Sequence, residues 1–162
     1  MSHAVVLTLG DLGRSPRMQY HARSLADMVE ISRVTAIGYE GEKCMNVIRE
    51  NAKIHEARMK PIDLGSFLRR IPLLHAILKG MGLLLSLLKL LWSLPHYDIV
   101  LIQNPPCLPA LLACLIYSWL VNGSIICIDW HNLGFSMFEE RLGPNALVVR
   151  VSKFLERILT RQ

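Results

Sequence analysis

Short, continuous apolar runs separated by helical patterns recur along this sequence, and only a few folds can accommodate them. Three of these runs are Ala4–Leu9 (AVVLTL), Asp98–Ile102 (DIVLI) and Ser124–Asp129 (SIICID). Runs of this length without polar alternation are typical of strands buried on both faces, as in a parallel sheet. Because parallel strands need crossover connections, the helical segments between the runs complete an α/β pattern.

Weaker patterns extend this alternation along the chain. Further strands are predicted at Arg33–Tyr39 and Lys53–Met59, and helices at Pro16–Met28, Leu73–Leu94, Leu108–Val121 and Asn145–Thr160. Ser15 is expected to cap the first helix, with Pro16 at its first position. The sequence therefore predicts a single Rossmann-like domain over residues 1–162, an open parallel sheet with flanking helices.

Composition narrows the class of partner. Hydrophobic residues make up 52% of the chain and charged residues 19%, which excludes a disordered protein. The net charge of +5 favours an anionic partner such as a phosphate or an acidic lipid surface. Aromatic residues are scarce among the basic ones, so no nucleic acid partner is expected. The four cysteines form no CxxC pair, so no metal site is expected.

The loop after the first strand, GDLGRSPR, is the main candidate for a ligand site. Gly10 and Gly13 are each expected to need a backbone conformation that a side chain would forbid. Arg14 and Arg17, together with helix amides, are placed to hold a phosphate. The alternative is a tight strand-to-helix turn with solvated arginines. The glycine spacing matches neither the P-loop nor the dinucleotide fingerprint, so no nucleotide cofactor is expected.

Two other loops follow predicted strands at the same edge of the sheet. In Asp129-Trp130-His131-Asn132, His131 is placed to accept a proton or to hydrogen-bond a sugar hydroxyl, and Asn132 is a further candidate contact. The alternative is a histidine that only ends a strand. In the loop Gln103–Pro106, Asn104 is a candidate for an acceptor hydroxyl, although stiffening by the prolines explains the loop equally well.

Three segments together resemble a known family. GDLGRSPRMQYHA, IQNPPCLP and IDWHNLGFS are similar to segments of the eukaryotic chitobiosyldiphosphodolichol β-mannosyltransferases. The resemblance implies the amino-terminal half of a GT-B architecture and an inverting transfer from GDP-mannose to diphosphodolichol-linked chitobiose. It implies work at the cytosolic face of the endoplasmic reticulum membrane, with the lipid-linked acceptor, the membrane surface and other mannosyltransferases as partners. His131 and Asp11 are then candidates for polar contacts at the reacting centre.

The sequence departs from that family in two respects. The amino-terminal membrane anchor of such enzymes is expected to be missing, and the sequence is expected to end where the donor-binding domain would begin. The chain is therefore expected to transfer no mannose alone, because the absent domain would bind most of the GDP-mannose. The alternative function is a non-catalytic membrane-surface module that recruits a partner glycosyltransferase subunit.

The segment Leu73–Leu94 raises the question of a membrane. Its polar and small residues recur at alternating spacings of four and three, which defines one narrow helical face, and they are His75, Lys79, Gly82, Ser86, Lys89 and Ser93. Two lysines well inside the segment disfavour a transmembrane helix. A helix lying in the membrane interface fits this pattern better. The alternative is a core helix that packs on the sheet and turns its narrow polar face to water.

Overall fold

A five-stranded, wholly parallel sheet forms the centre of the computed structural model, in the strand order β3-β2-β1-β4-β5. The structure describes residues 2–65, 71–104, 109–121, 123–130, 139, 143–146, 149–150 and 153–154. The strands are β1 (Ser2–Asp11), β2 (Ile31–Tyr39), β3 (Ile54–Met59), β4 (Ile99–Asn104) and β5 (Ile125–Trp130). The helices are α1 (Pro16–Asp27), α2 (Asn46–Arg49), α3 (Pro72–Ser93) and α4 (Ala110–Val121).

The predicted Rossmann-like sheet is confirmed, because the helices cover both of its faces. On one face, α1 and α2 pack around a cluster that includes Val6, Met18 and Ile48. On the other face, α3 and α4 pack around Val5, Leu91 and other apolar side chains of β1 and β4. Alternate residues of β1 thus enter opposite layers, which is why Ala4–Leu9 carries an unbroken apolar run.

Two local predictions were wrong, and one lies outside the described residues. Gln103 and Asn104 belong to β4 rather than to a loop, because they continue its parallel pairing with Asp129 and Trp130. Ser15 precedes α1, but its hydroxyl donates to the carbonyl oxygen of Asp11 (2.9 Å) and makes no capping bond to the helix. The helix predicted at Asn145–Thr160 falls mostly outside the described residues.

The carboxyl end of α1 is bound by a lysine from a distant strand connection. Helix carbonyls at this end have no amide partner within the helix, and the last turn of α1 contains no basic residue. The Lys53 ammonium group donates to the carbonyl oxygens of Ala26 (2.9 Å), Met28 (3.2 Å) and Ile31 (2.9 Å). A cation at this position also interacts favourably with the helix dipole. Lys53 therefore joins the end of α1 to the start of β2.

Helix α3 has two halves with different surroundings. Leu87 and Leu91, in the second half, are completely buried against the sheet. By contrast, none of the described side chains from Leu74 to Gly82 is buried. Among the described helices, Leu74–Ser93 is the one that could cross a membrane by length and composition alone. Its most apolar stretch has a mean hydropathy of 1.7 and is 11% buried. The second half therefore packs as a core helix, whereas the first half has a mostly unburied apolar surface.

A buried histidine of β1 links this strand to β2 and to the segment that precedes β4. Nε2 of His3 lies 2.8 Å from Oγ1 of Thr35, and its Nδ1 lies 3.1 Å from the carbonyl oxygen of His96. The amide of His3 also donates to the Asp98 carboxylate (2.9 Å). Burial, assisted by the positive charge of Arg33, lowers the pKa of His3 below its ordinary value of 6.5. The folded protein therefore favours the neutral imidazole over the protonated one.

We expect acid to weaken the fold through His3. Because the pKa of His3 is lower in the folded state, the unfolded chain binds the proton more readily. The contribution of His3 to the free energy of unfolding is therefore complete above about pH 6.5 and is lost as the pH falls through the folded-state pKa. His3→Gln should flatten the dependence of the unfolding free energy on pH between about 7 and 5. Urea titrations at several pH values would measure this slope. His55→Gln, at an exposed histidine of β3, is the matched control and should retain the wild-type slope; an unchanged slope in His3→Gln would contradict the assignment.

Candidate functional site

The strand order reverses between β1 and β4, and the region beyond the carboxyl ends of these two strands is called the crevice below. From β1 the chain proceeds outward to β2 and β3, and then returns to the other side of β1 to form β4 and β5. In open α/β sheets, ligands bind beyond the carboxyl ends of the strands at the point where this order reverses. β1 ends at Asp11 and β4 at Asn104, so the geometry brings the loop after β1 close to the polar end of β4 at this switch point.

The Asp11 carboxylate organises the loop after β1. Its Oδ1 accepts a hydrogen bond from the amide of Gly13 (2.9 Å), and its Oδ2 accepts one from the amide of Glu42 (3.0 Å). The Arg58 guanidinium lies 3.7 Å from Oδ1. The Glu42 amide above all lowers the pKa of Asp11 below its usual range. A general base works best with a pKa near the working pH, so this arrangement favours a positioning role for Asp11 over proton transfer.

Close contact between loops explains one of the two predicted glycines. A Cβ atom at Gly13 would overlap the backbone carbonyl of Glu42, and one at Gly41 would overlap the Asp11 carboxylate. At Gly10, by contrast, a Cβ atom would lie 3.5 Å from Oγ1 of Thr8, an ordinary contact. Neither Gly10 nor Gly13 has a positive φ. The expectation that Gly10 needs a special conformation was therefore wrong, and Gly13 is required for space rather than for its φ angle.

The start of α1 has the features of an anion site. Ser15 leaves the first-turn amides without a side-chain cap, and the first turn contains no acidic residue. Uncapped amides and the helix dipole both favour a negative group at this position. The Arg14 side chain is exposed. Its guanidinium makes no hydrogen bond or ion pair with any residue that the structure describes. Arg14 is therefore placed to reach an anion at the helix terminus.

Arg17 has a different position from Arg14, because it pairs with the end of β5. Its guanidinium donates to Oδ1 of Asp129 (2.6 Å), whose side chain is only 9% exposed. On the next turn of α1, Nε2 of His21 lies 3.4 Å from Oδ2 of the same carboxylate. Nε2 of His21 and Oδ2 of Asp129 are both buried, and within the described part of the chain neither makes a hydrogen bond of good geometry. His21 was not predicted, although its spacing of four from Arg17 places both residues on one helical face.

The floor of the crevice between β1 and β4 is polar. Oγ1 of Thr8 donates to Oε1 of Gln103 (2.7 Å), which fixes the Gln103 amide. The next residue, Asn104, is 1% exposed, and its buried Nδ2 has no hydrogen-bond acceptor among the residues that the structure describes. Buried donors without partners are uncommon in folded proteins, so Asn104 retains its candidacy as a ligand contact. The other predicted contacts, His131 and Asn132, lie outside the described residues.

A second cleft, of about 240 Å³, lies at the carboxyl ends of β2 and β3. Its lining residues are Glu40, Gly41, Glu42, Lys43, Cys44, Arg49, Glu56 and Arg58. Acidic and basic side chains balance each other here, as in the contact of Arg58 with Glu56 (2.6 Å). Burial raises the pKa of Cys44 to about 11, so its thiol is a poor nucleophile. An anion is therefore expected to bind less favourably in this cleft than at the start of α1.

Nearly the whole chain aligns with known mannosyltransferases. It is 35% identical over 170 residues to the chitobiosyldiphosphodolichol beta-mannosyltransferase of Dictyostelium discoideum, covering 97% of this chain and 34% of the relative. For the enzyme of the same name from Yarrowia lipolytica, the identity is 38%, covering 94% and 32%. The chain is related to the chitobiosyldiphosphodolichol beta-mannosyltransferases. This confirms the resemblance carried by the three loop segments.

The extent of the match limits what it establishes. The chain spans about a third of the length of the curated relatives that it matches. The chain is also similar to the UDP-glycosyltransferase TURAN of Arabidopsis thaliana. The identity is 35%, covering 94% of this chain and 33% of the relative. No family model matches the sequence, and no solved structure matches it significantly. The relation to these mannosyltransferases therefore rests on sequence identity along nearly the whole chain.

The contrast between the two loop glycines gives a matched pair of variants. Gly13→Ala should lower the free energy of unfolding by roughly 1–3 kcal/mol, because the new methyl group must displace the backbone at Glu42. Gly10→Ala should be neutral or stabilising by up to about 1 kcal/mol, because a strand residue loses less entropy on folding when it is not glycine. Urea denaturation measures both effects. Equal destabilisation by the two substitutions would contradict the described loop contact.

Proposed function

We propose that this chain is the acceptor-side domain of a β-1,4-mannosyltransferase with a GT-B architecture. The reaction would transfer the first mannose from GDP-mannose to diphosphodolichol-linked chitobiose during assembly of the N-glycan precursor. The observation that carries the proposal is the alignment of 94–97% of this chain with enzymes named for that acceptor. The crevice at the switch point of the sheet supports it, because this is where such folds bind ligands.

The acceptor diphosphate is assigned to the start of α1. Its uncapped amides are fixed in direction by the helix, and Arg14 adds a charged donor from the preceding loop. Charge-assisted bonds of this kind suit phosphate oxygens. Arg17 is the second candidate for a phosphate contact, and its ion pair with Asp129 fixes it at the crevice. Asp11 keeps the loop in position through its bonds to Gly13 and Glu42.

The sugar end of the acceptor is assigned to the carboxyl ends of β4 and β5. An inverting transfer needs a base, because the acceptor hydroxyl loses its proton as it attacks the anomeric carbon of mannose. His131 follows the last residue of β5 and is the candidate for polar contact at that centre. Asn104 and Asn132 are candidates for hydrogen bonds to sugar hydroxyls. GDP-mannose is assigned to the part of the relatives that lies outside the aligned third.

We place this domain at the cytosolic face of the endoplasmic reticulum membrane, where α3 would lie on the surface. The support is the unburied apolar first half of α3, together with the exposed Lys79 and Lys89. A helix with an apolar face and lysines toward the head groups is typical of the membrane interface. A lipid-linked acceptor requires such proximity, and other mannosyltransferases of the assembly would be neighbours there.

Complementation in trans tests the assignment of this chain to one side of a split active site. Neither this chain nor the donor-binding part of a relative should transfer mannose alone, whereas a mixture of the two should. Transfer of radiolabelled mannose to a chitobiosyl diphospholipid in detergent is the measurement. Robust turnover by this chain alone would contradict the proposed division of the site. A mixture that binds but stays inactive would favour a non-catalytic module that recruits a glycosyltransferase.

Arg14→Ala tests the diphosphate site in a two-domain enzyme that carries this sequence. Losing one charge-assisted contact costs roughly 1.5–3 kcal/mol, so KM for the lipid acceptor should rise about 10- to 100-fold while KM for GDP-mannose hardly changes. Steady-state kinetics with each substrate varied in turn would measure the split. Arg23→Ala is the control, since Arg23 pairs with Asp27 at the far end of α1. A rise in KM for GDP-mannose alone would assign the loop to the GDP side of the cleft. If neither KM changes, Arg14 is a solvated side chain without a role in binding.

A further inference from the structure

Helices α3 and α4 together expose a continuous apolar surface. Along α3 its members are spaced by three, four, four and seven residues, which keeps them on one side of the helix, and they are Leu74, Ile77, Met81, Leu85 and Trp92. On α4 they lie opposite the buried side, and they are Leu112, Leu115, Trp119 and Leu120. The nine residues are called the apolar platform below. Monomeric soluble proteins seldom expose so many large apolar side chains in one place, so a partner of matching chemistry is expected.

Contacts between the helices make the platform one surface rather than two. The two helices pack against each other on the same face of the sheet. The ring of Trp92 meets Tyr117 of α4 edge-on, with centroids 6.1 Å apart. The side of α3 that carries Trp92 therefore faces α4, and residues spaced from Trp92 by whole turns share that side. Behind this contact, Tyr117 stacks on Tyr97 at 4.5 Å, which anchors the pair to the sheet.

The charges around the platform select the kind of partner. Neither helix contains an aspartate or a glutamate. The polar residues of α3, including Lys79 and Lys89, occupy the stripe away from α4 and so border the platform along one edge. Trp119 is 84% exposed near the carboxyl end of α4, and Trp92 is 49% exposed near the carboxyl end of α3. Tryptophans at one end and lysines along one side are typical of surfaces that meet lipid head groups.

We propose that the platform docks on an anionic lipid bilayer through both helices, with α4 inserting alongside α3. This rests on the membrane location proposed above and extends it to α4, which carries no charge of its own. The two helices run in the same direction, because each leads from the carboxyl edge of the sheet to its amino edge. The amino ends of both helices, and with them the crevice, would therefore share one orientation relative to the lipid surface.

Vesicle binding by the full chain tests the role of α4. The double variant Leu115→Gln with Trp119→Gln should lower partition onto phosphatidylcholine vesicles containing phosphatidylserine by about tenfold or more, since two large apolar side chains no longer enter the lipid. The matched control is Tyr20→Gln with Val29→Gln, which removes two similarly exposed apolar residues next to the opposite face of the sheet. Co-sedimentation would measure partition, and circular dichroism would verify that both variants fold.

A second variant separates charge from apolar insertion. Lys79→Glu with Lys89→Glu should weaken binding to the anionic vesicles by about tenfold or more and hardly change binding to pure phosphatidylcholine, whereas the α4 variant should weaken both. Unchanged partition of the α4 variant, or an equal loss in the control, would overturn the proposal. Self-association without lipid that the α4 variant abolishes would assign the platform to a second copy instead. Because the vesicles carry no dolichol lipid, failure here leaves the proposed transfer reaction untouched.

Discussion

The hydrogen bonds of the Asp11 carboxylate hold together the edge of the sheet where the candidate site lies. One oxygen binds the loop that leads into α1 and the other binds the loop that follows β2. The amide of Ser15 continues this turn by donating to the carbonyl oxygen of Leu12 (3.2 Å), and α1 begins at the next residue. The direction of α1, and hence of its uncapped amides, therefore depends on the ionised Asp11 side chain.

A second ionic contact fixes the other end of the same site. The pairing of Arg17 with Asp129 joins the first turn of α1 to β5, across the end of β4. A pair with one partner this well buried is costly to break, because the remaining charge would lack its partner. Together with the bond between Thr8 and Gln103, this contact forms a row of polar groups across three adjacent strands. These contacts hold the polar ends of the three strands in fixed positions, and preorganisation of this kind favours tight binding.

The sequence predicted the layers of the fold well but could not predict most contacts of the site. Continuous apolar runs such as Ala4–Leu9 report burial on both faces directly, so the sheet and its crossovers follow from local patterns. The length of β4 does not follow from local patterns, because Gln103 and Asn104 are polar and join the strand only through pairing with β5. His21 and Asp129 are far apart in sequence and meet only once the strand order is known. At Gly13 the residue type was informative, but the reason was the backbone of Glu42 rather than its own φ angle.

The close approach of the two glycine-bearing loops has a consequence for how such a domain can diverge. Gly13 faces the backbone of Glu42, and Gly41 faces the Asp11 carboxylate, so each loop forms part of the wall of the other. Insertions are usually tolerated in surface loops because each loop can lengthen by itself. Here an added residue in either loop would shift one glycine away from its counterpart and place a side chain against the opposing backbone. The lengths of the two loops are therefore coupled, and a viable change in one calls for a compensating change in the other.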